Sequence, residues 1–174
     1  MIAYLDTSVL LRLVLREPGA LEDLRSSEAL VSSELLAVES LRTIDRLRLH
    51  GALSPEEAAS RRATVTEGLE AVDLVLLQSP ILARASEPLP TPLGTLDALH
   101  LATALVWRDR IRQTIVMATH DGGLALAARS FGPTEPIRIR FESGSRSSIS
   151  RPQGASSTGT ANSAATSSRL RRLR

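Results

Sequence analysis

The sequence predicts an α/β protein built on a mainly parallel sheet of four or five strands flanked by helices. Three observations indicate this class: short apolar runs typical of buried strands, helical patterns between those runs, and helix-start residues directly after the strands. A chain of 174 residues has the length of one domain, and 43% hydrophobic residues are enough for a packed core.

The first half of the chain alternates clearly between the two kinds of element. Residues 2–5 and 29–32 are short apolar runs and are predicted as strands. The first is followed by Asp-Thr-Ser and a helix over 9–15, and the second by a strong helix over 34–49. Ser54 then opens another helix as its cap, with Pro at the first position and two early acids.

The second half repeats the alternation. Strands are predicted over 72–77 and 114–118, with a fifth, edge strand over 137–140, and helices over 97–108 and 121–129. A short helix and a proline-rich loop connect the third strand to the next helix. Strands joined through helices imply right-handed crossovers and a parallel sheet with both faces covered.

Two residue types are missing, and each absence excludes a class of chemistry. With no Cys, disulfides, thiolate nucleophiles and cysteine zinc sites are excluded, and a reducing cytoplasm is the expected location. All 21 basic residues are Arg, so the phosphate-binding lysine of nucleotide-binding loops and lysine general bases are excluded as well. No apolar run approaches the ~18 residues of a membrane span.

The net positive charge of the chain comes from its C-terminal segment. Residues 143–174 carry 6 of the 21 Arg residues and no acid, whereas residues 1–142 carry more acidic than basic residues. This segment is rich in Ser, Thr, Gly and Ala and has no periodicity, so it cannot bury enough apolar surface to order itself. Two regions are therefore predicted: a folded domain over 1–142 and a disordered tail over 143–174.

Four acidic residues are candidate metal ligands: Asp6, Glu39, Asp97 and Asp121. Asp6 follows the first strand and Asp121 the fourth, and the carboxyl ends of parallel strands meet at one edge of a sheet. Four converging carboxylates repel one another unless a hard divalent cation neutralises them. Carboxylates and water are the ligands that Mg²⁺ prefers, and Mg²⁺ suits phosphate chemistry.

Each acid also has an ordinary interpretation. The three aspartates lie at helix starts, where Asp is a favoured cap and suits the positive end of the helix dipole. Glu39 lies at helical spacing from Arg42 and Arg46 and could pair with either. For His100 and His120, a neutral packed or exposed side chain is favoured over a metal ligand, and Trp107 is interpreted as a core or interface residue.

Four segments together resemble the PIN-domain nucleases, specifically the VapC-type toxins of bacterial toxin–antitoxin pairs. They are YLDTSVLLRL, SSELLAVESLRTIDRL, TLDALHLATAL and VMATHDGGLALAA, and in this order they span roughly residues 1–132. The resemblance implies a PIN-like three-layer fold. It also places the family's acidic residues on Asp6, Glu39, Asp97 and Asp121, and a hydroxyl near the metal on Thr7 or Ser8. Thr119 matches a threonine that can hydrogen-bond an acidic partner.

The function implied by this resemblance is hydrolysis of RNA by an endoribonuclease that uses Mg²⁺ or Mn²⁺. Water would be the nucleophile, so the products would carry a 5′-phosphate and a 3′-hydroxyl. Asp6, Glu39 and Asp97 would bind the main ion, and Asp121 a second ion or the first ion's waters. The implied partners are the RNA substrate, which Arg12, Arg42 and Arg46 could contact, a cognate VapB-like antitoxin, and a second copy in a homodimer.

Two other classes of function share features with this sequence. A catalytically inactive PIN-fold module that binds RNA or protein is the main alternative, although such a scaffold need not keep all four acids. A phosphoaspartyl hydrolase or a receiver domain also begins with a strand and an Asp, but both need a lysine that this chain does not have.

Removal of residues 143–174 tests the predicted boundary. A disordered tail adds no packing to the folded domain, so a chain ending at residue 142 should melt within about one degree of the full chain in a calorimetric scan. A fall of many degrees in the melting temperature would show instead that the tail docks on the domain.

Overall fold

A sheet of five parallel strands is the centre of this computed structural model, which describes residues 1–18, 24, 27–131 and 138–140. The strands are β1 (Ile2–Leu5), β2 (Ala29–Ser33), β3 (Asp73–Val75), β4 (Ile115–Ala118) and β5 (Arg138–Arg140). Their order across the sheet is β3-β2-β1-β4-β5, and every pairing is parallel. The carboxyl ends of all these strands therefore meet at one edge, with β1 and β4 as direct neighbours.

Helices cover both faces of the sheet. In the described part of the chain they are α1 (Thr7–Leu15), α2 (Leu35–Leu49), α3 (Pro55–Glu70), α4 (Ser79–Ala85), α5 (Thr95–Ile111) and α6 (Gly122–Arg129). Successive side chains of a strand point to opposite faces. Accordingly, Ala3 and Leu5 pack in one core cluster with residues of α1, α2 and α3, whereas Tyr4 packs in a second cluster with residues of α5 and α6. The predicted three-layer arrangement is confirmed.

The start of α3 follows the predicted capping pattern. The hydroxyl of Ser54 accepts a hydrogen bond from the backbone N–H of Glu57 (3.1 Å), and the Glu57 carboxylate accepts one from the N–H of Ser54 (2.8 Å). Pro55 is the first residue of the helix. These reciprocal bonds satisfy two backbone donors that the helix itself leaves unpaired.

Two elements differ in length from the prediction. α5 begins at Thr95 because Gly94, in an extended conformation, is its N-cap, and it continues to Ile111. β3 ends at Val75, two residues before the predicted end. The backbone N–H of Leu77 donates instead to the side-chain Oε1 of Glu34 (2.7 Å), so the strand pairing does not extend that far.

Two further predictions concern membranes and the tail. None of the helices within the described ranges is long and apolar enough to cross a membrane. The segment 143–174 lies outside the described residues, so its disorder and the domain boundary stay predictions.

Candidate metal centre

Asp6 lies at the junction between β1 and α1. Its backbone N–H donates to the carbonyl of Ala118 (3.0 Å), which extends the pairing of β1 with β4 to this residue. Its side-chain Oδ2 accepts bonds from the N–H (3.3 Å) and the hydroxyl (2.5 Å) of Ser8, and Asp6 thereby caps α1. The capping interpretation is thus confirmed for Asp6. It does not exclude a second role, because only one carboxylate oxygen makes these bonds.

Two hydroxyl groups connect this junction to the one after β4. Thr119 donates to Asp6 Oδ2 (2.9 Å) and accepts the backbone N–H of Asp121 (2.9 Å). Ser8 donates to the same oxygen and accepts the backbone N–H of His120 (2.9 Å). Each hydroxyl therefore bonds Asp6 on one side and the β4–α6 turn on the other. The expected bond from Thr119 to an acidic partner is confirmed.

Asp121 caps α6. Its Oδ1 accepts the backbone N–H of Leu124 (2.8 Å), as the capping interpretation predicted. Gly123 follows it closely, and a Cβ at that position would lie 3.1 Å from the same oxygen. The absence of a side chain at Gly123 therefore keeps the space around the Asp121 carboxylate open.

Glu39 reaches the same region from α2. Its Oε2 accepts bonds from the hydroxyl of Thr7 (2.6 Å) and from Nε2 of His100 (2.8 Å). Burial of this half-buried carboxyl acts to raise its pKa, but the bonds from His100 and Thr7 outweigh burial and hold the pKa below its usual range. The side chain is therefore fixed in its ionised form.

The alternative pairing of Glu39 with a nearby arginine is wrong. Arg42 contacts Asp45 (3.5 Å), and Arg46 contacts the hydroxyl of Thr43 (3.4 Å). Both contacts lie on the exposed side of α2, whereas Glu39 turns toward β1 and α5 through its bonds with Thr7 and His100.

Asp97 lies in the first turn of α5 but does not cap it. The N-cap is Gly94, where an added Cβ would lie 3.4 Å from Oδ2 of Asp97. Burial raises the pKa of Asp97, and the negative charges of Asp121, Asp6 and Glu39 raise it further. Asp97 thus experiences the charge of all three other candidate ligands, which are separated widely in sequence.

The carboxylates share one pattern of hydrogen bonding. Asp6, Glu39 and Asp121 each accept bonds from the protein through one oxygen, and among the described residues the other oxygen accepts none. Asp97 accepts none through either oxygen within the same residues. These donors orient Asp6, Glu39 and Asp121 and include no arginine, so negative charge accumulates at the carboxyl edge of the sheet.

This donor set fits a hard divalent cation. All four candidate groups are carboxylates, and no thiol or lysine is present in the chain. Within the described ranges, no three His, Asp or Glu side chains lie close enough together to hold an ion as a group. Mg²⁺ is compatible with such a site because it usually keeps several of its waters and contacts one or two carboxylates directly.

Two residues at this site were not predicted from the sequence. His100 was interpreted as a packed histidine without a role, and Tyr4 was assigned only to a strand. Both are fully buried, and they bond each other (3.0 Å) beneath Glu39. The spacing in the sequence was one indication that His100 lies near the site: it follows Asp97 by three residues and so lies on the same side of α5.

Comparisons with known proteins agree with this architecture. The family model of the PIN domain matches residues 3–129. Ribonuclease VapC46 of Mycobacterium tuberculosis is 36% identical over 133 residues, which are 74% of this chain and 92% of the relative. Ribonuclease VapC47 of the same species is 29% identical over 131 residues, or 74% of this chain and 91% of the relative.

Two solved structures have a similar fold. VapBC2 from Rickettsia felis, bound to a promoter DNA fragment, gives a TM-score of 0.57 at 12% identity and covers 81% of this chain and 98% of that one. A toxin–antitoxin complex from Klebsiella pneumoniae gives a TM-score of 0.50 at 18% identity and covers 71% of this chain and 90% of that one. The chain belongs to the PIN-domain family, in its VapC ribonuclease branch.

Replacement of Asp97 by Asn tests whether these carboxylates repel one another. Because the pKa of Asp97 is raised above its ordinary 3.8, its ionisation destabilises the folded state as the pH rises through the folded value. In EDTA at pH 7, Asp97→Asn should therefore raise the melting temperature, by no more than roughly 2–4 °C, the shift that about 1 kcal/mol produces in a domain of this size.

Scans at successively lower pH provide the control. As the pH falls toward the ordinary value of 3.8, the folded protein takes up a proton on this carboxyl, so the difference in melting temperature between the two proteins should shrink. An unchanged or lower melting temperature of Asp97→Asn at pH 7 would contradict the inferred repulsion.

Proposed function

We propose that this protein is an endoribonuclease that uses Mg²⁺ or Mn²⁺ and is the toxin of a toxin–antitoxin pair acting in the cytoplasm. The observation that supports it most strongly is the set of four carboxyl groups at the carboxyl edge of the sheet, each with at least one oxygen that accepts no hydrogen bond from the described residues. The names of its relatives, VapC46 and VapC47 ribonucleases, favour RNA as the substrate.

Each of the four acids has a proposed role. Asp6, Glu39 and Asp97 would hold the main cation, and Asp121 would bind a second ion or the waters of the first. When bound, the cation supplies positive charge for the phosphodiester and lowers the pKa of a water that attacks it. The protein's own contribution is orientation: Ser8 and Thr119 fix Asp6, while Thr7 fixes Glu39.

A groove beside Asp121 supports a path for the RNA. It has a volume of about 380 Å³ and is lined by polar residues that include Ser8, Arg12 and His120, and by apolar residues of α1 and α2. Arg12 brings the positive charge needed to bind a phosphate next to the carboxylates. Of the three arginines expected to meet RNA, Arg12 is favoured because it lines the groove itself, where it also donates to the carbonyl of Pro18 (2.9 Å).

The apolar part of the same groove favours an antitoxin segment as the inhibitor. Leu11, Leu15 and Leu47 form its apolar wall, and Asp121 lies among its polar residues. An antitoxin segment with apolar side chains and a basic residue would bury the leucines and pair with Asp121 together. The two similar solved structures are toxin–antitoxin complexes, which is consistent with this partner.

A homodimer is part of the same proposal. Leu74 and Leu76 are exposed apolar side chains beside a groove that also contains Trp107. Contact between two copies through this region would remove the apolar surface from water.

The variant Asp6→Asn tests the metal-dependent activity. The amide oxygen can replace Oδ2 and accept the bonds of Ser8 and Thr119, so the fold should be kept. The charge that holds the cation is removed, so Mn²⁺ affinity measured by calorimetry and cleavage of single-stranded RNA followed on a gel should fall together. The loss should exceed the roughly 10–100-fold that removal of an outer partner costs.

Asp73→Asn is the matched control, because Asp73 is an exposed aspartate on β3. It should bind Mn²⁺ and cut RNA as the wild type does. Cleavage by Asp6→Asn at the wild-type rate, or a wild-type protein that shows no saturable metal binding, would refute the proposed activity. RNA binding without cleavage at any metal concentration would favour the inactive scaffold.

A further inference from the structure

His100 is a buried polar side chain on the face of α5 that packs against the sheet. Only 1% of its surface is exposed, so both ring nitrogens need partners inside the protein. It lies one turn after Asp97, close to the candidate ligands but beneath them.

Both nitrogens of His100 have such partners. Nδ1 lies 3.0 Å from the hydroxyl of Tyr4, and Nε2 lies 2.8 Å from Oε2 of Glu39. The hydroxyl of Thr7 is 3.3 Å from Nε2 and donates to the same Glu39 oxygen. The rings of Tyr4 and His100 meet edge to face, at an interplanar angle of 78°. The imidazole therefore joins the centre of the sheet to a carboxylate on α2.

The contact with Glu39 shows what Nε2 of His100 carries. A carboxylate oxygen only accepts hydrogen bonds, so Nε2, which lies 2.8 Å from Oε2, carries a proton and donates it. On the other side of the ring, the Tyr4 oxygen lies 3.0 Å from Nδ1 and accepts the backbone N–H of Ser33 (3.1 Å), which holds the phenol in place. The imidazole is therefore held at both nitrogens.

We propose that Tyr4 and His100 are positioning residues that orient Glu39 for the cation, a proposal that rests on the proposed function. Tyr4 holds the His100 ring at Nδ1, and His100 with Thr7 then holds Oε2 of Glu39, leaving Oε1 for the ion. Tyr4 also holds the N–H of Ser33, whose hydroxyl accepts the N–H of Leu35 at the start of α2. The same tyrosine thus fixes both the carboxylate and the helix that carries it.

The form of the imidazole can be measured without metal or substrate. In the full-length protein with ¹⁵N-labelled histidine, long-range ¹H–¹⁵N spectra in EDTA distinguish the Nε2–H form, the Nδ1–H form and the imidazolium. The wild type should show a proton on Nε2 of His100. Tyr4→Phe removes the hydroxyl that holds Nδ1, so the Nε2–H signal should broaden or shift as the ring loses its fixed orientation. A wild-type spectrum that shows only the Nδ1–H form overturns the proposal, because Nε2 then has no proton to donate to Glu39.

Mn²⁺ calorimetry tests the consequence for Glu39. Tyr4→Phe and His100→Leu should each weaken Mn²⁺ binding by about 10–100-fold, and His100→Gln, whose amide can still donate toward Glu39, should recover part of the loss. Met117→Leu is the control for lost packing, because Met117 is fully buried in the same core cluster as Tyr4 but has no polar contact with it. If Tyr4→Phe binds Mn²⁺ as tightly as Met117→Leu does, His100 is only a packed histidine and the proposal fails.

The two proposals can fail separately. A wild type that neither binds Mn²⁺ nor cuts RNA refutes the proposed function, whereas the metal-free spectrum still decides whether Nε2 of His100 donates to Glu39. If His100→Leu does not fold, Tyr4→Phe, which keeps the ring, provides the decisive comparison.

Discussion

Negative charge accumulates at the carboxyl edge of the sheet, and the arrangement of the surrounding side chains follows from it. The charges of Asp121, Asp6 and Glu39 contribute there to the raised pKa of Asp97. Hydroxyls, backbone N–H groups and an imidazole orient Asp6, Glu39 and Asp121 through one oxygen each. An arginine in the same place would instead occupy the oxygens that a cation needs.

The topology makes this accumulation possible. Because β1 and β4 are parallel neighbours, the residues that follow them, Asp6 and Asp121, leave the sheet on the same side. Ser8 and Thr119 then bond across the two junctions, so that the start of α1 and the start of α6 form one rigid unit. The two aspartates cap their helices with one oxygen and present the other. Capping and metal binding are thus compatible uses of one side chain rather than alternatives.

The sequence was sufficient for the fold and for the part of the site that lies on strand ends. Asp6 and Asp121 could be predicted because strand-to-helix junctions are local signals, and Glu39 and Asp97 entered through the resemblance to the PIN-domain family. The roles of Tyr4 and His100 could not be predicted, because they are 96 residues apart and their bond depends on how α5 packs on β1. The length of β3 was predicted wrongly for a similar reason: the side chain of Glu34, at the start of α2, accepts the N–H of Leu77.

The most direct test of the account is the position of a bound cation. Crystals of the full-length protein soaked in Mn²⁺ should show an anomalous peak at the carboxyl edge of the sheet. It should lie about 2.1 Å from at least one carboxylate oxygen that accepts no bond from the protein, on Asp6 or Asp97, with the remaining acids reaching it directly or through water. A saturating soak that leaves this region empty, or that places Mn²⁺ only on exposed acids such as Asp45 and Asp73, would contradict the account.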